Sequence, residues 1–202
     1  MARVTKIDPI RDFKFRVSIS PPTGILATNT THDGGGLGDL GFAVVSGIGV
    51  NNEMVGYREG GMNTHPHKFV GQSDFPPVTF SRGVFENQDQ LYKWQQFLHA
   101  WNQASSGSTS ADNNYRCDIL VQVYDHPVSS GSYATPGNLG NSSDIGKARW
   151  GFKLFDCFPG SYSLSDLNAS SSGIMIQQMQ IHHEGFVVGW SEAEVTALKA
   201  AS

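Results

Sequence analysis

The sequence predicts a mainly β protein, an antiparallel β-sandwich or barrel with one flanking α-helix and a long extended β-hairpin. Three observations carry that expectation. The 202 residues include 23 Gly and only 16% charged side chains, against roughly 25% in an average soluble protein, a balance suited to strands joined by many turns. Apolar and polar residues alternate in segment after segment, as in strands with one buried face. A single long segment shows the three- and four-residue steps of an amphipathic helix. With 39% hydrophobic residues the chain can bury a sizeable core, and all-β domains often reach this length as one unit. Residues 1–202 are therefore read as one domain, with a core over 13–186 and a short C-terminal extension over 187–202.

Phe13, Phe15, Val17 and Ile19 alternate with Lys14, Arg16, Ser18 and Ser20 and predict the first strand. Segment 21–40 is rich in Pro, Gly, Thr and Asn and predicts a long loop or a weak early strand. Segments 42–50, 53–57 and 78–80 are strand-like around a polar, Gly-rich middle, which predicts a long two-stranded excursion with its tip at Gly60-Gly61. Leu91, Trp94, Leu98 and Trp101, with Phe97 beside them, form one apolar helical stripe. They predict an amphipathic helix over 88–102, capped by Asn87 with Gln90 as its capping-box partner.

Residues 104–114 and 127–146 are polar, low-complexity loops. Between them Cys117, Ile119, Val121 and Val123 alternate, and after them Trp150, Phe152 and Leu154 do so, giving two more strands; Pro159 and Gly160 are expected to end the second. Ile174 and Ile176, then Met179 and Ile181, alternate with a change of phase that suggests a bulge. Ser191 and Glu194 have capping-box spacing ahead of Val195 and Leu198, which predicts a short C-terminal helix.

Several function classes are disfavoured. Fourteen Lys+Arg against 18 Asp+Glu leave a net charge of −4 with no basic run, so the electrostatic term behind nucleic-acid or anionic-membrane binding is missing. Pro9, Arg11, Asp12 and Lys14 interrupt any apolar stretch at the start, and no other segment approaches the ~20 apolar residues of a membrane helix, so no membrane anchoring is expected. Cys117 and Cys157 lack a CxxC spacing and read as buried, reduced thiols.

His65 and His67, or His182 with Glu184, have spacings that could place two metal ligands on one side of an extended strand. Pro66 argues for a loop at the first, and both clusters read equally as surface or interface polar residues. Asp125, Asp156 and Asp166 are scattered, and no GxSxG, GxxxxGK[ST] or HExxH motif is present. No catalytic, metal or cofactor site is expected.

What remains unusual is the segment 42–85, where charge, Gly and aromatic residues concentrate on an exposed hairpin. An isolated two-stranded hairpin is marginal in water. Such hairpins persist when another subunit pairs with their edges, and Tyr57, Arg58, Lys68 and Phe69 are suitable anchors.

FxFxVxI at 13–19, FxxVSGI at 42–48, YREGG at 57–61, HKFVG at 67–71, VTFSRG at 78–83 and LYKWQQF at 91–97 occur in that order. They are followed by Trp150, Phe152, Pro159 and Tyr162 and by IxxMQIHHEGF at 176–186. Together these resemble the tail tube proteins of contractile-tailed bacteriophages. The same kind of protein forms the inner tube of R-type pyocins and extracellular contractile injection systems, and is related in fold to the Hcp tube of type VI secretion.

The resemblance implies a homohexameric ring whose sheets join around a channel, with rings stacked inside a contractile sheath as the conduit for genome delivery. It implies as partners further copies of the chain, the sheath protein, baseplate or tube-initiator and tail terminator proteins, and a tape measure protein and DNA in the lumen. It places the protein in the virion, assembled in the host bacterial cytoplasm. The inter-subunit contacts it suggests are Val45, Ser46, Gly47, Glu53, Tyr57, Arg58, Glu59, Gly60, Gly61, His67, Lys68, Phe69 and Arg82. Leu91, Trp94, Phe97, Leu98 and Trp101 would hold the helix on the body.

Ser81 departs from the family's (I/V)TLKRG strand, where a Lys is usual. Alternatives are an injection-device or pyocin tube, a tube-initiator or terminator ring, and, from another class, a β-sandwich ligand-binding module. For a DNA conduit the inner wall is expected to be net negative or neutral.

Overall fold

A computed structural model describes residues 10, 12–20, 39–61, 64–86, 88–103, 115–124, 148–170 and 172–200. The predicted loops over 104–114 and 127–146 lie outside these residues, as do Asn87 and all of the predicted 21–40 loop except Asp39 and Leu40, which form a short strand.

Ten strands and two helices are present among the described residues. They run β1 (Phe15–Ser20), β2 (Asp39–Leu40), β3 (Val44–Ser46), β4 (Asn51–Tyr57), β5 (His67–Asp74), β6 (Val78–Gly83), α1 (Gln90–Gln103), β7 (Cys117–Tyr124), β8 (Ala148–Leu164), β9 (Ile176–His182), β10 (Gly185–Gly189) and α2 (Glu192–Ala200). Every strand pairing is antiparallel.

The 17-residue β8 organises the sheet. Its first half pairs with β7 on one side and β10 on the other, and its second half pairs with β9. Two leaves result: β2-β1-β7-β8-β10, and β3-β6-β9-β8. The mainly β, antiparallel fold matches the expectation, but the sheet does not close into a barrel within a protomer, because β2 and β3 are left as its ends.

β8 turns from one leaf to the other at Asp156, whose φ of 50° is left-handed, beside a register shift between Cys117 and Ile119 of β7. Its backbone N–H donates to the Asp118 carboxylate at 3.3 Å. That carboxylate also holds the buried Lys153 ammonium at 2.9 Å, so one acid ties down the corner and neutralises an interior cation.

The core lies between the leaves. Val17, Ile19, Val121, Phe152 and Leu154 of the first meet Val78, Phe80, Met179 and Ile181 of the second, and Leu91 and Trp94 of α1 join the same cluster. Trp94 satisfies its buried indole N–H by donating to the Tyr115 carbonyl at 3.0 Å, as a buried Trp requires. Lys93 N–H donates to Asp89 C=O at 2.9 Å, which makes Asp89 the cap of α1.

The C-terminal helix forms as its capping box predicts. Ser191 C=O accepts from Val195 N–H at 3.0 Å, Ser191 Oγ accepts from Glu194 N–H at 3.3 Å, and the Glu194 carboxylate accepts from Trp190 N–H at 2.7 Å. Val195 is buried against Gly151 and Gly189, which face each other across β8 and β10. A Cβ at Gly189 would stand 3.1 Å from the Val195 backbone nitrogen, so glycine there lets α2 lie this close to the sheet. This coverage explains why β7 buries Leu120 and Gln122 as well as its core-facing residues.

Two expectations are corrected. β8 runs through Pro159 and Gly160 instead of ending there, absorbing them in a register irregularity between Pro159 and Ser161. β9 carries no bulge against β6. Gln177, Met179 and Ile181 face inward in one phase while Ile174 and Ile176 are exposed. Among the described residues no helix is long and apolar enough to cross a membrane.

Candidate assembly surfaces

Among the described residues β4 and β5 pair with each other and with no other strand. Cross-strand partners share a face, so Tyr57 with His67 and Val55 with Phe69 occupy one side, and Met54 with Val70 and Gly56 with Lys68 the other. Each face of this ribbon thus carries exposed apolar side chains beside a polar one, Lys68 or His67: Phe69 is 58% exposed and Val70 81%. A ribbon solvated on both sides would be polar on both faces, and one packed on a core would alternate apolar with polar. Burying each of Val55, Phe69 and Val70 would contribute ~1.5–3 kcal/mol, which is ample to anchor an interface.

Arg58, Glu59, Gly60 and Gly61 follow at the exposed tip, Gly61 with φ 95°. Glu53, on β4, and Lys68 are also exposed. The expected tip is thus where the sequence places it.

The root of the hairpin is different in character. Val45 is half-buried on the core, Ser46 is exposed, and Gly47 has φ 94° with its would-be Cβ 2.8 Å from the Pro77 carbonyl oxygen. Gly47 thus serves the turn that launches the hairpin. Beside it lies an open apolar groove of ≈ 450 Å³, lined by Phe15, Val45, Ile48, Val121, Trp150 and Trp190 among others.

Arg82, one of the contacts that the resemblance suggests, lies inside the protomer, only 2% exposed. Its guanidinium lies over the Phe42 and Phe85 rings at 6.0 and 5.6 Å and donates to the Gln88 side-chain oxygen. Burial pushes its pKa down from the usual arginine value, against the opposing influence of Tyr162.

In α1, Leu91 and Trp94 are buried, Phe97 and Leu98 half-buried. Trp101 belongs to α1, but its side chain falls outside the described residues.

The candidate metal pairs do not assemble. His65 and His67 stack edge to face at 6.0 Å, His182 stacks on Phe158 at 5.4 Å, and Glu184 is ion-paired with Arg116. Among the described residues no group of three metal-ligating side chains gathers.

Two features were not legible in the sequence: the backbone edges of the second leaf, at β3 and at the outer half of β8, which are unpaired among the described residues, and the groove. Each joins residues far apart in the chain. The visible signal was the Ser/Gln alternation along β8 and β9.

The motif order, the hairpin and the two-leaf body meet in one comparison. A family model for T4-like virus tail tube protein gp19 matches residues 11–187. The chain belongs to this tail tube family. No curated protein matches it in sequence.

Among solved structures, the tail tube chain is similar to one in the extended sheath-tube complex of PVC, an extracellular contractile injection system. The two share 19% identity over 90% of this chain and 92% of that one, with a TM-score of 0.60. It is similar to the tube-terminating cap of the anti-feeding prophage, at 18% identity over 94% and 97% with a TM-score of 0.61. It is also similar to a chain of that prophage's baseplate, at 16% identity over 91% and 97% with a TM-score of 0.60. At these identities the likeness shows the tube-protein fold.

Proposed function

We propose that this tail tube protein forms homohexameric rings that stack into the hollow inner tube of a contractile tail, a conduit for genome delivery with no catalytic step. The observation that carries this reading is the β4–β5 hairpin, which exposes apolar side chains on both faces and has no further partner strand among the described residues. The open edges at β3 and β8 support it, since strand pairing between neighbours would satisfy their backbone groups and extend each leaf into its neighbour's. Tyr57 to Gly61 and His67 to Phe69 would then lie at contacts between subunits.

The similar chains come from a sheath-tube complex, a sheath/tube terminator and a baseplate, which supports the same classes of partner here, with a tape measure protein and DNA as the lumen's contents. The virion tail is the expected location, reached by assembly in the host bacterial cytoplasm. A second reading, the inner tube of an extracellular injection device, is favoured by the same similarities and uses the same subunit geometry.

Negative-stain electron microscopy over a range of protein and salt concentrations tests the proposal. Hollow six-fold rings or tubes are expected. A monodisperse monomer under every condition, with a baseplate fraction added as nucleus, would overturn it.

A further inference from the structure

The second leaf, β3-β6-β9-β8, has one face on the core and one face bare. Cross-strand register puts Ser81 beside Gln178 and Thr79 beside Gln180, and Ser163 and Ser161 beside the same two glutamines on β8. The edge strand adds Val44 and Ser46. No ionisable side chain stands among these positions, although Lys, Arg, Asp and Glu are the usual occupants of exposed surface. Ser161 Oγ donates to Gln180 Oε1 at 3.2 Å, so part of the face is bonded to itself. At one end His182 stacks on Phe158, and beyond it Arg116 and Glu184 neutralise each other. By contrast the first leaf carries Arg16 and Lys153 away from the core, and α2 lies against that side.

The orientation of the bare face in a ring follows from bulk. Circumference grows with radius, so the side bearing a second leaf and a helix belongs outside, and the thin bare face turns toward the axis. Closing the ring through the open edges of β3 and β8 makes these strands a continuous inner surface.

Resting on the tube reading, we propose that the face formed by Thr79, Ser81, Ser161, Ser163, Gln178 and Gln180 is the channel wall and that it is free of fixed charge. Double-stranded DNA passing it meets hydroxyls and amides. It finds no cations whose contact would release counterions and hold it, and no carboxylates to repel it. Passage is then insensitive to salt at the wall. This decides between the two expectations for the inner wall, net negative or neutral, in favour of neutral.

Assembled tubes of Gln178→Cys and, separately, Ser163→Cys test the placement, with Lys199→Cys on α2 as the external control. A small maleimide is expected to label all three, and a maleimide carried on a dextran too large for the channel only Lys199→Cys. The charge is tested with tubes of Gln178→Lys and Ser163→Lys, expected to hold short duplex DNA about tenfold or more tightly than wild type at low salt and to release it as salt rises. Labelling of the wall cysteines by the dextran reagent, or salt-dependent DNA retention by wild-type tubes, would overturn the inference while leaving the tube itself standing. Absence of tubes from the wild-type protein would overturn the tube reading and this inference with it.

Discussion

Asp118 shows how much one side chain can hold. It accepts from the Asp156 backbone where β8 turns between leaves and it pairs with Lys153, whose side chain is 2% exposed. Removing one partner of a buried ion pair is costly because the other charge stays desolvated. Asp118→Ala is expected to lower the free energy of unfolding by about 3 kcal/mol in urea titration, and Asp118→Ala with Lys153→Met to recover much of that loss. A loss within experimental error in the single variant would show the corner is held by packing alone. The neighbouring thiols make a second case. Burial, with a smaller contribution from Asp118, pushes Cys117 up to about 12, and burial pushes Cys157 higher still. The thiolate is the reactive form, so at mildly alkaline pH both should resist a thiol reagent in the folded protein and react promptly once urea unfolds it. Fast labelling without denaturant would mean that the core opens locally.

At the scale of elements, the hairpin carries the sharpest expectation. Val55 and Phe69 face the same side, and neither contributes to the core of its own protomer. Val55→Asp or Phe69→Asp should leave the thermal unfolding of the protomer nearly unchanged and abolish rings and tubes, read by circular dichroism and sedimentation. Arg58→Ala or Glu59→Ala at the tip should weaken assembly less, since exposed charge pairs contribute only ~0–1 kcal/mol each. Normal tubes from the Phe69 variant would move the interface elsewhere. The hairpin was legible because its composition broke with the rest of the chain. So were the strands at Phe15, Cys117 and Trp150, where alternation is strict, and α2, where Ser191 and Glu194 set the cap. Elements were misread where an apolar residue faces outward. Ile174 and Ile176 suggested a phase change because an exposed isoleucine reads like a buried one in a sequence. Arg82, a contact suggested by the resemblance, is enclosed by aromatic rings within the protomer. Pro159 did not stop β8, because the ladder absorbs it in an irregularity that only the partner strand β9 reveals.

At the scale of the whole molecule the balance of forces behind assembly can be argued from what is exposed. The surfaces free to associate are apolar (the hairpin faces, the groove beside Trp190) or are backbone edges, while the hairpin's charges, Glu53, Arg58, Glu59 and Lys68, are of both signs. Association driven by apolar burial is entropic near room temperature, weakens on cooling, and is strengthened by sulfate, which is excluded from protein surface. Association driven by salt bridges would instead fade as salt screens them. The concentration at which rings first appear should therefore fall on warming from the cold and fall again in sulfate, while sodium chloride moves it little. Light scattering against concentration reads that onset directly. An onset that rises steeply with sodium chloride would show that charged contacts dominate the interface, and would shift the weight of the hairpin from Val55, Phe69 and Val70 to Arg58 and Glu59.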